Sequence, residues 1–405
     1  MGALSHIRVL DLSRVLAAPW ATQILGDMGA EVIKIEKPGE GDETRHFGPP
    51  FLKKEDGSRG DAAYFLTTNR NKKSVTIDFA QPEGAALIKR LARRAHVVVE
   101  NYKTGGLEKY GLDYQSLKAE NPGLIYCSLT GFGHDGPYAN RVGYDYIIQG
   151  MGGLMSVTGQ PDGTPGAEPM KVGVAVSDLV TGLYTAVAIL TALLHQARTG
   201  EGQSIDMALF DCQAAGLANQ AANYLVGGMQ PTRLGNAHPN IVPYQVFATK
   251  DGHLIFAATN EAQFRRFVKA ANLESVFAEE RFSSNGQRVA HRAEMLAVLT
   301  PIFAAHTSAE WTDLLEKANV PCGPINRVDQ VFSDPHAIAR GLTVPMQHAV
   351  AGSIDLVASP LRLSKTPPEY RSAPPVLGQH TEEVLRDVLG LNGEAQNRLR
   401  ADGII

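Results

Sequence analysis

Cysteine is almost absent from this chain of 405 residues. The three thiols, Cys127, Cys212 and Cys322, lie far apart and form no CxxC pair. That count argues against a disulfide framework and a thiolate zinc site, and fits a reducing compartment. Charge of one sign is also lacking: 38 Lys and Arg stand against 42 Asp and Glu, a net charge of −4. Such a balance gives no general attraction to nucleic acid or to an anionic membrane, so a polyanionic ligand needs a local basic patch. The opening MGALSHIRVLDLS has neither a basic n-region nor an apolar h-region, and His6 stands where a myristoylation motif needs Ser or Thr. A cytoplasmic location is the expectation. There is no internal repeat and no low-complexity tract. The one long apolar run, Val172 to Leu194, carries Asp178 as its single charge and is interrupted by Ser177, Thr181, Gly182, Tyr184, Thr185 and Thr191. It reads as a core helix, apolar on all sides and buried, rather than a membrane span.

What is present is alternation. Residues 7–12 (IRVLDL) read as a buried strand, 19–28 as a helix and 31–35 (EVIKI) as the next strand. The pattern recurs with strand 74–79, helix 82–95 opened by Pro82, and strands 96–101 and 124–132. Repeated βαβ units imply a parallel sheet, so the expected fold is α/β, with a doubly wound, Rossmann-like large domain. Residues 1–200 form its N-terminal part and 201–224 a linker. A smaller α+β domain covers 225–325, where Asp251-Gly252 signals a hairpin. Residues 326–405 then supply a proline-rich connector and the C-terminal part of the large domain. Thr381, followed by Glu382 and Glu383, reads as the N-cap of a last helix.

The first βα turn, SRVLAAP, has no GxGxxG, so although Glu36 sits where a ribose-binding acid would, a nicotinamide cofactor is disfavoured. Asp178 follows a strand-like VGVAV and precedes the long apolar helix. It can be read as a capping carboxylate satisfying free N–H groups. The capping reading is the one the residues alone favour; the other is a reactive carboxylate, kept ionised and exposed at a strand–helix junction where α/β ligand sites gather. Arg45, in GDETRH, is either a partner for a second carboxyl group on a substrate or half of a buried ion pair. The run NRNKK (69–73) is a basic cluster or a charged loop. His238 and His380 read as structural.

The runs at 10–45 (LDLSRVLAAPWATQILGDMGAEVIKIEKPGEGDETR), 64–79, 97–114, 143–159 (GYDYIIQGMGGLMSVTG), 172–211 and 376–385 (VLGQHTEEVL) resemble, in order, the class III CoA-transferase family, also called CaiB/BaiF. Within it, NRNKKS, GNAHPNIVPYQVF and PPVLGQHT are most similar to members acting on succinate and glutarate. The resemblance implies a CoA-transferase that exchanges CoA between an acyl-CoA and a small acid, most plainly a dicarboxylate. It implies Asp178 as nucleophile, passing through an aspartyl mixed anhydride and an aspartyl-CoA thioester. It also implies Tyr64 and Tyr144 at the acid, and Val15, Ala17, Lys37, Ile77, Asn101, Tyr102, Lys109 and Arg141 at or near CoA. Coenzyme A and acyl-CoA would be substrates, with no permanently bound cofactor and no metal. The protein would be an interlocked homodimer, with no nucleic-acid or membrane partner. Oxyanion donors would come from Gly152-Gly153 or the amides near Ala17-Ala18.

Two departures bear on specificity. Leu16 replaces a glutamine that contacts the acid in oxalate- and formate-acting members, and their GGGGQ loop is missing, so that specificity is not expected. Related 2-methylacyl-CoA racemases carry His in a GHD motif. Here the motif is Gly143-Tyr144-Asp145, and tyrosine lacks the near-neutral pKa of a general base. A racemase, or a CoA-binding protein without turnover, remains the alternative reading.

Overall fold

The structure, a computed structural model, describes residues 2–405. Six strands form one wholly parallel sheet: β1 (Arg8–Asp11), β2 (Glu31–Glu36), β3 (Lys72–Thr76), β4 (Val97–Glu100), β5 (Ile125–Thr130) and β6 (Ser204–Ala208). Their spatial order is 3-2-1-4-5-6. This is the doubly wound order, whose direction reverses between β1 and β4 and leaves a crevice beyond the carboxyl ends of those two strands.

The period-two alternation explains why both faces are covered. Leu10, Ile33, Val75 and Val98 point to one side, against Leu87, Ile88 and Leu91 of the helix Pro82–Ala92, and against the C-terminal Val384, Leu385 and Ile404. Val9, Val32, Val97, Val99 and Ile125 point to the other, against Ala18 and Leu25 of α1 (Ala17–Asp27) and against Ile189 and Leu193 of the long apolar helix. Helix α2 spans Pro82–Ala92, α3 Asp145–Met151, α4 Val176–Thr199 and α5 Leu209–Gly216.

The chain divides into two compact units. The first comprises 1–154, 171–229 and 338–405, so N- and C-terminal segments share one core; the second comprises 155–170 and 230–337. The second unit holds a three-stranded antiparallel sheet, β7 (Tyr244–Ala248), β8 (His253–Ala257) and β9 (Cys322–Gly323), with the β7–β8 turn at Thr249–Gly252. Its core is rich in aromatics, among them Phe247, Phe256, Phe267, Phe303 and Trp311.

Several details differ from expectation. Residues 201–224, read as a linker, hold β6 and α5 and belong to the first unit. Helix α4 is buried on one face only, since Leu183, Tyr184, Val187, Leu190 and Leu194 are exposed; its length and composition alone would suit a membrane span. The last helix but one, α6 counted within the first unit (Thr381–Asp387), is preceded by His380 as its N-cap residue, and the Thr381 hydroxyl instead accepts the Thr76 N–H.

The NRNKK run is no solvated loop: Asn69, Arg70, Asn71 and Lys72 are all buried. Arg70 binds Asp27 through both carboxylate oxygens, at 2.6 and 2.9 Å. Lys72 Nζ, fully buried, donates to Asp11 Oδ2 and to the Pro19 carbonyl, each at 3.0 Å. Lys34, equally buried, donates to Asp42 Oδ2 and to the Ser13 carbonyl, each at 2.8 Å. Two lysines thus hold both ends of the β1–α1 turn. Their partners respond: Lys34 lies foremost among the groups that draw the Asp42 carboxyl down to about 2 against the upward push of burial, while burial takes the Lys72 ammonium down to about 8.

Breaking one partner of such a pair strands the other charge in a dry core. Lys34→Met is expected to lower stability by about 3–5 kcal/mol in urea unfolding. Lys34→Met with Asp42→Asn should recover much of that loss. A single-variant cost below about 1 kcal/mol would show that the pair does not hold the turn.

Candidate functional site

The β1–α1 turn reaches the crevice in a strained form. Val15 has φ +69°, a left-handed conformation that β-branched residues rarely take and that costs on the order of 1–3 kcal/mol. Neighbouring bonds hold it there. The Arg14 N–H donates to Asn101 Oδ1 at 2.8 Å, and Asn101 Nδ2 donates back to the Arg14 carbonyl at 2.7 Å. The Val15 N–H points to both Asp42 oxygens at 3.3 Å. Valine does here, under strain, what glycine does in the dinucleotide fingerprint. After it, α1 starts at Ala17 with no side-chain cap, and Pro19 contributes no N–H.

Helix α4 brings Asp178 alongside. A Cβ at Gly182 would stand 2.6 Å from the Ala17 carbonyl, so glycine one turn beyond Asp178 is what lets the two helices approach this closely. Asp178 is the third residue of α4, 9% exposed, and no donor among the described residues reaches its carboxylate. The free N–H groups at the start of α4 are satisfied from elsewhere. Asp145 Oδ1, at the start of α3, accepts the N–H of Ser177 at 2.9 Å and of Asp178 at 3.3 Å. Gln149 Nε2 holds Asp145 Oδ2 at 2.7 Å, and Ser177 Oγ donates to Gln213 at 2.7 Å.

The capping reading of Asp178 therefore passes to Asp145. The helix end does not hold the Asp178 carboxyl in the ordinary range: burial first, and the Asp145 charge second, raise its pKa to about 7. A carboxylate without donors, next to another carboxylate, gains too little from the helix dipole to offset its desolvation.

Around Asp178 lies a cavity of about 280 Å³. Val15, Ala17, Asn101, Tyr102, Arg141 and Tyr144 are all in its wall. Lys37 and Ile77 line a second cavity of about 440 Å³, and Arg14, Glu43 and Tyr102 are common to both. Tyr64 is half-buried beside the first cavity, close enough that the charges of Asp178 and Asp145 add to burial in raising its phenol. Lys37 is exposed and paired with Glu40 at 2.5 Å.

Three expected residues fall outside both walls: Tyr64 beside the first, and Lys109 and Arg45. Lys109 is exposed over the Tyr110 ring. Arg45 is buried in an ion pair, donating Nε and Nη2 to Glu36 at 2.8 and 2.7 Å and Nη1 to Asp61 at 2.7 Å and the Pro375 carbonyl at 3.2 Å. That pairing also occupies Glu36, which accepts further bonds from Ser74 and from the Asp42 N–H, so it is not presented to a ribose. The Gly152 and Gly153 N–H groups are spent on the Ile148 and Gly150 carbonyls. Of the suggested oxyanion donors, the start of α1 is the one at the cavity. His238 packs on Tyr244 and accepts the Asn240 N–H, a structural role.

Residues that the sequence reading passed over are Arg14, Glu43 and Lys103 in the wall, and Asp145. Asp145 was quoted only as the last letter of Gly-Tyr-Asp. An acid directly after Tyr144 and ahead of the apolar pair Ile147-Ile148 was the available signal.

Comparison with known proteins gives one consistent result. The model of CoA-transferase family III matches residues 4–381. The chain is 51% identical over 385 residues to a succinate–glutarate CoA-transferase of Agrobacterium fabrum, covering 95% of each chain. It is 43% identical to the succinyl-CoA:glutarate CoA-transferase of Mus musculus, covering 100% of this chain and 91% of that one. A crystal structure of a CaiB/BaiF family protein from Brucella suis superposes with a TM-score of 0.83 at 48% identity, covering 96% of this chain and 99% of that one.

The raised carboxyl has a stability consequence whose sign is determined. A folded-state pKa of about 7, against 3.8 for a free aspartate, means the protonated form favours folding below about pH 4 and the benefit is lost as pH rises through 7. Asp178→Asn should therefore melt higher than the parent at pH 8, by roughly 2–6 °C, and level with it at pH 4. Calorimetry across that range checks this; an equal difference at both pH values would contradict the shift.

Proposed function

This chain belongs to CoA-transferase family III and is a CoA-transferase, and on that premise we propose that it exchanges CoA between succinyl-CoA and a small dicarboxylic acid through Asp178. The observation that carries the assignment is the placement of Asp178. It is a carboxylate without donors, in a cavity at the β1/β4 switch point, facing the uncapped start of α1.

Each half of the exchange is balanced without a proton. An Asp178 oxygen attacks the thioester carbonyl, a C–O bond forms, the C–S bond breaks, and the charge leaves on the CoA thiolate. The thiolate attacks Cγ of Asp178, a C–S bond forms, and the donor acid departs as a carboxylate. The acceptor acid reverses both steps. The developing oxyanions would be met by the start of α1 at Ala17 and Ala18. Tyr64 and Tyr144 would orient the acid, while Arg14, Lys103 and Arg141 bring positive charge to the same wall. The cavity lined by Lys37 and Ile77, joined through Tyr102, suits the distal part of CoA. The dicarboxylate preference rests on the named relatives.

A homodimer, interlocked as expected from the resemblance, belongs to the same proposal. The exposed apolar face of α4 is the kind of surface a second copy would cover. A cytoplasmic location also belongs to it, resting on the sparse, separated cysteines.

Exchange assays with succinyl-CoA against glutarate and a panel of acids should show turnover. Asp178→Ala should lower it by roughly 10⁴-fold or more while CoA binding persists. Hydroxylamine quenching during turnover, followed by peptide mapping, should place the label in VAVSDLVTG. Turnover retained by Asp178→Ala, or a label elsewhere, overturns the mechanism.

A further inference from the structure

Asp145 touches the reacting helix without being accounted for by the exchange chemistry. It comes from a different helix, 33 positions before Asp178. Its Oδ1 accepts two of the first N–H groups of α4, and Gln149 fixes its other oxygen. Gln149 is itself fixed, accepting the Val172 N–H at 2.8 Å and being fully buried. A helix commonly takes its cap from a Ser, Thr, Asp or Asn at its own N-cap position. Here Ser177 is adjacent, yet its hydroxyl turns away to Gln213. The cap is instead a charged group, brought to the root of the one side chain whose negative charge is lost during the reaction.

Resting on the proposed covalent role of Asp178, we propose that Asp145 is the positioning residue that drives acylation: its charge opposes the free Asp178 carboxylate, and the opposition is relieved when Asp178 becomes a neutral anhydride or thioester. In the first step the negative charge moves from Asp178 to the CoA sulfur, so the two neighbouring carboxylates become one. The anhydride and the thioester differ in leaving group but share this relief. The same arrangement therefore favours both intermediates over the resting enzyme and makes Asp178 a more basic, more reactive nucleophile. The two N–H contacts keep the first turn of α4 in place while its carboxylate changes covalent state.

The other ionisable groups facing Asp178 do not duplicate this role. Arg14, Lys103, Arg141 and Glu43 line the cavity wall with the Tyr144 phenol, and Tyr64 lies nearby. On α5, packed against α4, are Asp211 and Cys212. Asp145 is the charge among them that raises the Asp178 carboxyl, after burial itself.

Asp145→Asn keeps an oxygen for the two N–H groups and removes the charge. The full-length enzyme is assayed for kcat/KM with succinyl-CoA and glutarate from pH 5 to 9. The parent should lose activity below about pH 7, where Asp178 protonates. In Asp145→Asn that acid limb should move down by about one unit or more, stopping short of an ordinary aspartate because burial remains. The plateau should fall, on the order of 10-fold or more, and less aspartyl-CoA should be trapped at equilibrium. Asp145→Glu should return the limb toward the parent. Because Asp145→Asn also confronts Gln149 with a second amide, a measurement independent of turnover is paired with it. The extra melting temperature conferred by Asp178→Asn at pH 8 should shrink in the Asp145→Asn background. An acid limb that does not move, with an undiminished Asp178→Asn effect, overturns the proposal. Should Asp178→Ala still exchange CoA, the reading of Asp178 as nucleophile is what fails; a dead Asp178→Ala with an unmoved limb in Asp145→Asn removes only the role of Asp145.

Discussion

A buried net of alternating charges underlies the site. Lys34 and Lys72 stand on adjacent strands, wholly out of water, and each is tied to one aspartate and to one carbonyl of the β1–α1 turn. Ion pairs so placed contribute little net stability, since desolvation consumes most of the attraction. What they provide is position. The turn between Ser13 and Pro19 carries Val15 in a left-handed conformation and opens α1 without a cap, and neither feature would persist on a loop free to relax. The Arg14–Asn101 exchange of bonds adds the link to β4, across the point where the strand order reverses.

Against that rigid edge, α4 presents Asp178. The approach depends on Gly182, and the state of the carboxyl depends on what is withheld. Asp11 and Asp42 lie deeper in the core than Asp178 but are given lysines and hydroxyls, and their carboxyls are drawn below the usual range. Asp178 is given no donor and an anionic neighbour, and is pushed the other way. Burial pushes all three carboxyls upward; the partners decide the direction of the net shift. A carboxylate destabilised when free suits the cycle of acylation and thioester formation proposed for it.

The comparison of sequence with structure divides along these lines. The strands and helices of the parallel sheet were legible because period-two and helical apolar patterns report which face is buried, whatever the buried face contacts. The role proposed for Asp178 rests on the family resemblance, and its place in the first turn of a long apolar helix was visible in the sequence. The polar residues were harder. Lys34 lies in EVIKIE and Lys72 in NRNKKS, and nothing in either run tells an outward lysine from one that ends in the core. Arg45 admitted two readings, and its bidentate hold on Glu36 assigns it to the ion pair. Thr381 looked like a cap but is occupied by Thr76, a partner 305 positions away.

Order along the chain thus determined the α/β alternation and the parallel sheet, because each depends on local pattern, and it marked Asp178 as the carboxylate for which a reactive role is proposed. Tertiary structure alone decided the state of that carboxylate, the use of Asp145 as a cap in place of Ser177, the burial of two lysines and the half-exposed face of α4. Those properties depend on distances between groups far apart in sequence, and on how much water is left between them. Neither quantity is written in the spacing of residues.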